Sequence, residues 1–291
     1  MTPSPSFVTA NFVARQIGYR MEKGWMQGDD ATNAWFSPLA TFEERFEEML
    51  REIKALGFSS IDLWCAHLHW RWATLEHVAI AKRLLAGHGL VVRSYPAWVG
   101  GGAAELRGAC RLCRDLNIPL FAGHCDYFAQ NRAAAVAILR EFGVAYAIEN
   151  HPEKNAAEIF GRLGEGDEDV VGVALDTGWC ATQGWDALAA VNELGSRLLA
   201  IHLKDVKAKR TEKTGLMFVD MGHETCRAGD GIVPLQAIVG VLRAKEFRGP
   251  VGIEHEPEEF NPGNEIRESR ERVEQWWDAV EVLESAPPLR V

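Results

Sequence analysis

Short apolar runs alternate with amphipathic stretches along most of this chain. Eight runs rich in β-branched and apolar residues predict strands, and they lie at about 7–13, 60–66, 90–95, 118–123, 144–149, 170–176, 198–203 and 250–254. Apolar positions at helical spacing predict helices near 41–56, 73–88, 102–116, 131–142, 155–163, 185–196, 234–246 and 264–284. The pattern therefore predicts eight strand–helix units.

Local signals and strand composition define a fold class. Thr41 with Glu44 forms a capping box before the first predicted helix, and Gly57, Gly89 and Gly143 stand where helices should stop. Nearly all-apolar strands indicate a parallel sheet buried on both faces. Eight such units predict a single α/β domain, a (β/α)₈ TIM barrel over residues 1–291, with a doubly wound open sheet as the alternative. No glycine-rich dinucleotide fingerprint follows the first strand, which weighs against that alternative.

Two predicted connections exceed ordinary loop length. They cover about 18–40, after the first strand, and about 204–232, after the seventh. Loops of this length are commonly lids or binding loops. Because both leave the carboxyl ends of strands, we expect them on the active face of the barrel.

Each of the last four predicted strands ends in an acid or an imidazole. Glu149 ends VAYAIE, Asp176 ends VVGVALD, His202 ends LLAIH and Glu254 ends PVGIE. One such residue alone could equally cap a helix or face solvent, but four in phase would converge at the mouth of a parallel barrel. Three carboxylates and one imidazole suit a single divalent cation, Mn²⁺ first, with Mg²⁺, Co²⁺ or Zn²⁺ as alternatives.

Five segments resemble the xylose isomerase-like barrel superfamily of sugar isomerases and epimerases. They read AIENH, ALDTGW, AIHLKD, RAGDG and GIEHE. The superfamily also includes inosose dehydratases, dehydroshikimate dehydratases and class II AP endonucleases. The resemblance implies that the fifth to eighth strands supply Glu149, Asp176, His202 and Glu254 to one divalent metal, the same four residues that the strand ends indicate.

The resemblance also implies a reaction class, a metal-dependent sugar or cyclitol isomerase or epimerase. Such an enzyme removes a proton next to a carbonyl through a cis-enediolate, with Glu149 and Glu254 as acid/base partners. The alternative is a 2-keto-polyol dehydratase of inosose or dehydroshikimate type. Trp179 stands where many epimerases have a His, and Asn155 stands where ketose 3-epimerases often carry a second Glu. These departures favour a dehydratase, or an isomerase with another substrate.

Five further residues are candidate substrate ligands. His67 and His124 follow the second and fourth strands and could hydrogen-bond sugar hydroxyls, although a lone His is often a packed core residue. Lys204 matches the family's HxKD pattern, which implies a cation that polarises a substrate oxygen or supplies a proton; an exposed charge pair is the alternative. Trp179 could form an apolar wall for a sugar ring. Arg227, before the AGDG turn, could bind a substrate oxygen or phosphate.

Composition and net charge limit the classes of partner that we expect this protein to bind. A formal net charge of −10 argues against a nucleic-acid partner and against an AP endonuclease-like nuclease, which would need a basic groove. A non-catalytic barrel remains a further alternative. No signal-peptide pattern or long apolar run occurs, so we expect a cytoplasmic protein with a small-molecule sugar or cyclitol substrate and no membrane partner. By analogy with related barrels, we expect a homo-oligomer, a dimer or a tetramer.

Overall fold

Eight parallel strands close into a barrel in the part of the chain that this computed structural model describes, residues 5–210, 215 and 217–284. The barrel strands are β1 (Ser6–Val8), β2 (Ser60–Asp62), β3 (Val91–Val99), β4 (Leu120–Cys125), β5 (Ala145–Glu149), β6 (Val171–Asp176), β7 (Leu198–Leu203) and β10 (Val251–Ile253). Their order around the barrel is β1-β10-β7-β6-β5-β4-β3-β2, and every neighbouring pair is parallel. The predicted TIM barrel is thus confirmed, and the open sheet is excluded.

Helices surround the barrel because each has one apolar face. They are α1 (Trp25–Phe36), α2 (Leu39–Ala55), α3 (Leu75–Gly87), α4 (Ala103–Asp115), α5 (Asp126–Gln130), α6 (Arg132–Phe142), α7 (Ala156–Leu163), α8 (Thr177–Thr182), α9 (Ala187–Leu194), α10 (Met217–Asp220), α11 (Leu235–Ala244) and α12 (Gly263–Glu284). Inside the barrel a small buried cluster joins β4 to β7 and consists mainly of alanines. The described residues include no helix long and apolar enough to cross a membrane.

Two local predictions near the start of the chain were wrong. The first strand is short, because the chain turns into a 3₁₀ helix at Thr9–Phe12 instead of continuing to residue 13. Helix α2 begins at Leu39, before the predicted capping box. Thr41 therefore lies inside the first turn, where its hydroxyl donates to the Pro38 carbonyl oxygen 3.3 Å away. The predicted helix-stop glycines are confirmed. Gly57, Gly89 and Gly143 all have positive φ, the conformation favoured beyond a helix end.

The two long connections contain secondary structure that the sequence pattern missed. The segment 18–40 holds α1, whose buried residues Gly28, Thr32 and Phe36 recur every four positions. The segment 204–232 holds the antiparallel hairpin of β8 (Asp205–Ala208) and β9 (His223–Cys226), followed along the sequence only by turns up to α11. Residues 211–214 and 216 of this segment lie outside the described residues. Both connections follow the carboxyl ends of barrel strands, β1 and β7.

Candidate metal centre

Four side chains from adjacent strands converge at the carboxyl end of the barrel. Glu149 ends β5, Asp176 ends β6, His202 lies in β7 and Glu254 directly follows β10. One donor atom from each lies within 4.8 Å of the others. Strand register produces this convergence, because Asp176 pairs with His202 and His202 pairs with Gly252, two residues before Glu254. The structure therefore brings together the four residues that the sequence singled out.

The cluster is buried and its hydrogen bonding is incomplete. His202 Nδ1 lies 3.1 Å from Glu254 Oε2 and 3.4 Å from Glu149 Oε1. Yet Asp176 Oδ2, Glu254 Oε2 and both ring nitrogens of His202 have no hydrogen-bond partner of good geometry. Such buried polar atoms are rare and costly unless an ion or water satisfies them. This donor set fits a divalent cation and could hold one.

A buried lysine reaches into the same cluster. Lys204 is almost completely inaccessible, and its Nζ lies 3.0 Å from Asp176 Oδ2 and 3.2 Å from Glu254 Oε2. The Phe218 ring centroid lies 4.9 Å from the ammonium nitrogen. Gly178 makes room for the stem, since a Cβ there would stand 2.7 Å from Lys204 Cγ. The alternative of an exposed charge pair is therefore wrong for Lys204.

A third glutamate was missed by the sequence analysis. Glu256 is buried and accepts a 2.8 Å hydrogen bond from Lys204 Nζ. Its φ of 49° is unusual for a non-glycine residue, and Asn11 Oδ1 holds it by accepting from its backbone N–H and from that of His255. The sequence offered a signal only in spacing, because Glu256 lies beyond the end of β10 and strand alternation does not extend to it. Glu256 follows Glu254 by two, as Lys204 follows His202.

An asparagine supports the end of β6. The Asn150 side-chain oxygen accepts from the backbone N–H of Asp176 at 2.7 Å, and its amide nitrogen donates to the Asp176 carbonyl oxygen at 3.1 Å. The Asp176 carboxylate in turn accepts from the backbone N–H groups of Gly178 and Trp179 at the start of α8. One carboxylate oxygen is therefore fixed at a helix N-terminus while the other faces Lys204.

Charge coupling dominates the electrostatics of the cluster. Burial raises the pKa of Asp176. Burial would also raise the pKa of Glu254, but the charges of Lys204 and His202 outweigh it and hold that pKa well below its usual range. Burial would lower the pKa of His202, but Glu254 and Glu149 raise it well above its usual range. Burial raises the pKa of Glu256 to about 8 despite Lys204. The negative charge of the cluster is thus offset by Lys204 and His202, and His151 helps His202 to lower the pKa of Glu149 against the effect of burial.

The predicted histidine ligands lie in different surroundings. His67 is buried, its Nδ1 lies 3.2 Å from the Thr9 hydroxyl, and burial lowers its pKa to about 3, so it is neutral. His124 is half-exposed, and its Nε2 lies 3.1 Å from Asp126. Its Nδ1 lies 3.3 Å from an Arg162 nitrogen. Neither histidine forms a hydrogen bond or ion pair with the four clustered residues, all of which the structure describes.

Trp179 and Arg227, two further predicted substrate ligands, lie in different parts of the structure. The Trp179 ring packs between His151 and Phe218, at centroid distances of 4.4 and 5.4 Å, and so lies beside the aromatic ring that covers Lys204. Arg227 instead forms ion pairs with Asp230 and Glu268 at the base of the long connection. Its guanidinium is committed to these carboxylates. The structure thus places Trp179 next to the cluster and Arg227 in a partly exposed salt-bridge network.

An open cavity of about 210 Å³ lies beside the cluster. Its lining includes Glu256, Phe218, Lys207, Phe260 and Glu265. Glu256 and Phe218 both contact Lys204, so the cavity lies on the lysine side of the cluster, but neither Lys204 nor the four clustered residues line it.

Comparisons with known proteins agree with this architecture. The chain is 28% identical over 117 residues to an inosose dehydratase of Clostridium beijerinckii; the match covers 38% of this chain and 39% of that relative's length. Among solved structures, an L-ribulose 3-epimerase matches with a TM-score of 0.65 at 15% identity, covering 85% of this chain and 94% of the other. A xylose isomerase-like TIM barrel protein from Mycobacterium smegmatis in complex with magnesium matches with a TM-score of 0.62 at 15% identity, covering 84% and 90%.

The family profile covers most of the barrel. The profile described as the xylose isomerase-like TIM barrel matches residues 50–277, which include every barrel strand except β1. The match spans more than half of the chain and contains all four clustered residues. Together with the closed parallel barrel, it identifies the chain as a member of the xylose isomerase-like TIM barrel family.

Proposed function

We propose that this protein is a divalent-metal-dependent isomerase or epimerase of a sugar or cyclitol. The observation that carries the proposal is the convergence of Glu149, Asp176, His202 and Glu254 at a buried barrel mouth, with donor atoms within 4.8 Å of one another. Family members and structural neighbours that carry out epimerisation or dehydration support an enzyme of this class. Mn²⁺ is the proposed ion, since it accepts carboxylate and imidazole ligands together.

Glu149 and Glu254 are the proposed acid/base pair. A bound cation would supply the positive charge that stabilises an enediolate formed next to the substrate carbonyl. The two glutamates belong to strands separated by β6 and β7 in the barrel, so their carboxylates approach the centre from different directions. One carboxylate removes the proton from the carbon beside the carbonyl, and the other returns a proton to the neighbouring carbon or to the opposite face.

Lys204 favours dehydration as a second candidate function. Its buried ammonium lies 3.0 Å from Asp176 Oδ2 and 3.2 Å from Glu254 Oε2, and it contacts Glu256, which lines the cavity. In a dehydration, a glutamate takes the α-proton, the bond from the β-carbon to its hydroxyl oxygen breaks, and Lys204 protonates the departing hydroxyl, which leaves as water. The dehydratase relative and the replacements at Trp179 and Asn155 agree with this candidate.

Deuterium incorporation from D₂O tests both candidates. The metal-loaded protein would be incubated with Mn²⁺ and a panel of ketohexoses, ketopentoses, inososes, hydroxypyruvate and dehydroshikimate, and products followed by NMR. Uptake that Glu254→Gln abolishes and Glu268→Gln preserves would support proton abstraction, and the product would distinguish epimerisation, isomerisation and dehydration. Stoichiometric metal binding without uptake on any substrate would overturn the proposal for these substrates.

A further inference from the structure

The ammonium group of Lys204 contacts the carboxylate oxygens that face the middle of the cluster. Its Nζ lies 3.0 Å from Asp176 Oδ2 and 3.2 Å from Glu254 Oε2. Asp176 Oδ1 is already engaged by two backbone N–H groups at the start of α8, so Oδ2 is its remaining oxygen. Glu254 Oε2 also lies 3.1 Å from His202 Nδ1. Lys204 and a bound cation would therefore share these two oxygens.

Lys204 hydrogen-bonds to only one of its neighbours in the described part of the chain. That partner is Glu256, whose Oε2 accepts from Nζ at 2.8 Å. Asp176 Oδ2 and Glu254 Oε2 are close to the ammonium but have no hydrogen-bond partner of good geometry. The position of Asp176 is fixed from elsewhere, by Asn150 and the N-terminus of α8. Lys204 thus acts on these two carboxylates through its charge and does not hold them in place.

The lysine is fixed along its whole length. Its backbone N–H donates to the Thr177 hydroxyl at 3.0 Å, and that hydroxyl donates to the Lys204 carbonyl oxygen at 2.7 Å. The stem packs on Gly178, where there is no room for a β-carbon. The ammonium is held by Glu256 and faces the Phe218 ring. We therefore expect the positive charge to stay beside the cluster when a cation binds.

A divalent cation at the four clustered residues would meet this fixed charge at short range. Like charges a few Å apart repel strongly where water is excluded. We infer that Lys204 weakens the binding of a divalent cation, so that the site holds its ion less tightly than the four ligands alone would. The inference rests on the proposed metal centre and deepens the proposed function, because the same charge can stabilise an anionic intermediate beside the ion.

The competing interpretation is that Lys204 supports the metal ligands, and the two interpretations predict opposite signs for Lys204→Met. The test is the affinity of the full-length protein for Mn²⁺, measured by competition with a chromophoric chelator. We expect Lys204→Met to bind Mn²⁺ about 10- to 100-fold more tightly, the range over which groups beside the ligands change metal affinity. Unchanged or weaker binding would overturn the inference.

Lys207→Met is the matched control for this measurement. It makes the same change in net charge, but Lys207 forms a partly exposed ion pair with Glu224 that solvent and salt screen. We expect its affinity for Mn²⁺ to stay within about twofold of the wild type. A gain as large as that of Lys204→Met would show that overall net charge controls binding, and would overturn the specific role of Lys204.

A second pair of variants repeats the test with fewer unpaired buried charges. Lys204→Met/Glu256→Gln removes the ammonium together with the charge of its hydrogen-bond partner, and it is compared with Glu256→Gln alone. Circular dichroism would establish that both variants fold. We again expect the variant without Lys204 to bind Mn²⁺ about 10- to 100-fold more tightly. Equal affinities in this pair would overturn the inference independently of the single variant.

The charge of the ion separates repulsion from crowding. Ca²⁺ and Tb³⁺ are similar in size, so the gain in affinity from Lys204→Met should be larger for Tb³⁺ if charge is the cause. Equal gains would indicate crowding and overturn the role assigned to charge. Mn²⁺ binding without turnover of any substrate would count against the proposed reaction alone. Failure of both the wild type and Lys204→Met to bind Mn²⁺ would overturn the metal centre and this inference together.

Discussion

The two halves of the barrel mouth satisfy their buried polar groups in different ways. In the half formed by β1 to β4, Asp62 accepts from two serine hydroxyls and His67 contacts a threonine hydroxyl. In the half formed by β5, β6, β7 and β10, atoms of Asp176, His202 and Glu254 lack a hydrogen-bond partner within the described chain. The carboxylate of Asp62 and Nδ1 of His67 thus have hydroxyl partners within the protein, whereas the carboxylates of the second half contact Lys204 and His202 in ion pairs without hydrogen bonds of good geometry.

This difference indicates a structural role for the polar groups of the first half and a ligand-binding role for those of the second half. Fully satisfied buried networks hold side chains in one arrangement, whereas a buried group without a partner costs free energy that folding alone does not return. Carboxylates gathered at 4.8 Å, with Lys204 as a neighbouring cation, are arranged for a ligand that adds positive charge. We therefore expect substitutions in the second half to affect turnover and metal-free stability most strongly.

The largest expected effect is on turnover. Glu149→Gln keeps the shape of the side chain but removes the proton-accepting carboxylate, so deuterium uptake should fall by about 10²- to 10⁴-fold. Glu268→Gln, on α12 and paired with Arg227, is the control and should retain the wild-type rate. Initial rates by NMR at saturating Mn²⁺ measure both. A rate for Glu149→Gln within a few-fold of wild type would remove Glu149 from the acid/base pair.

The next effect concerns the stability of the metal-free protein. Lys204→Met leaves the carboxylates of Asp176 and Glu254 without their buried cation, which should lower the free energy of unfolding by about 3–5 kcal/mol. Lys207→Met, three residues along, breaks only a partly exposed ion pair with Glu224 and should cost about 0–1 kcal/mol. Urea unfolding in the presence of a chelator compares them. Equal stability of the two variants would refute the role assigned to buried charge.

We expect the free energy of unfolding to depend on pH through Glu256, in the second half of the barrel mouth. Its pKa in the folded protein, about 8, lies above the ordinary value, so the folded state binds the proton more tightly than the unfolded state does. Its contribution is full below the unfolded pKa and is lost as the pH rises toward 8, by up to about 1.4 kcal/mol per pH unit. Unfolding of the metal-free protein at about pH 5 to 9 should show this decline, and Glu256→Gln should flatten it. A variant slope identical to wild type would contradict the assignment.

The smallest effect is expected at Arg227. The structure engages this residue with Asp230 and Glu268 near the surface, so Arg227→Ala should change the rate of deuterium uptake by less than about threefold. Its cost in stability should be about 0–1 kcal/mol, as for exposed ion pairs. Steady-state kinetics and thermal unfolding measure the two quantities. A large rise in KM would instead restore the sequence-based hypothesis that Arg227 binds substrate.

Features that depend on neighbouring residues in the sequence were predicted well, and features that depend on packing against distant residues were not. The ends of β5, β6 and β7 were predicted closely because each apolar run stops at a polar residue. The first strand was predicted too long, since FVTANFV is largely apolar and only its packing turns Thr9–Phe12 into a 3₁₀ helix. The helix α1 was missed because its buried face includes Gly28 and Thr32, which carry little hydrophobic signal.

The sequence by itself determined the barrel and the four residues at its strand ends, because strand periodicity and the polar ends of apolar runs are local properties of the chain. Only the tertiary structure decided that Lys204 is buried among carboxylates, that Glu256 joins it, and that Asp62 is buried between the hydroxyls of Ser6 and Ser94. These contacts join segments far apart in sequence, and their geometry depends on barrel closure and strand register. No local pattern encodes that register.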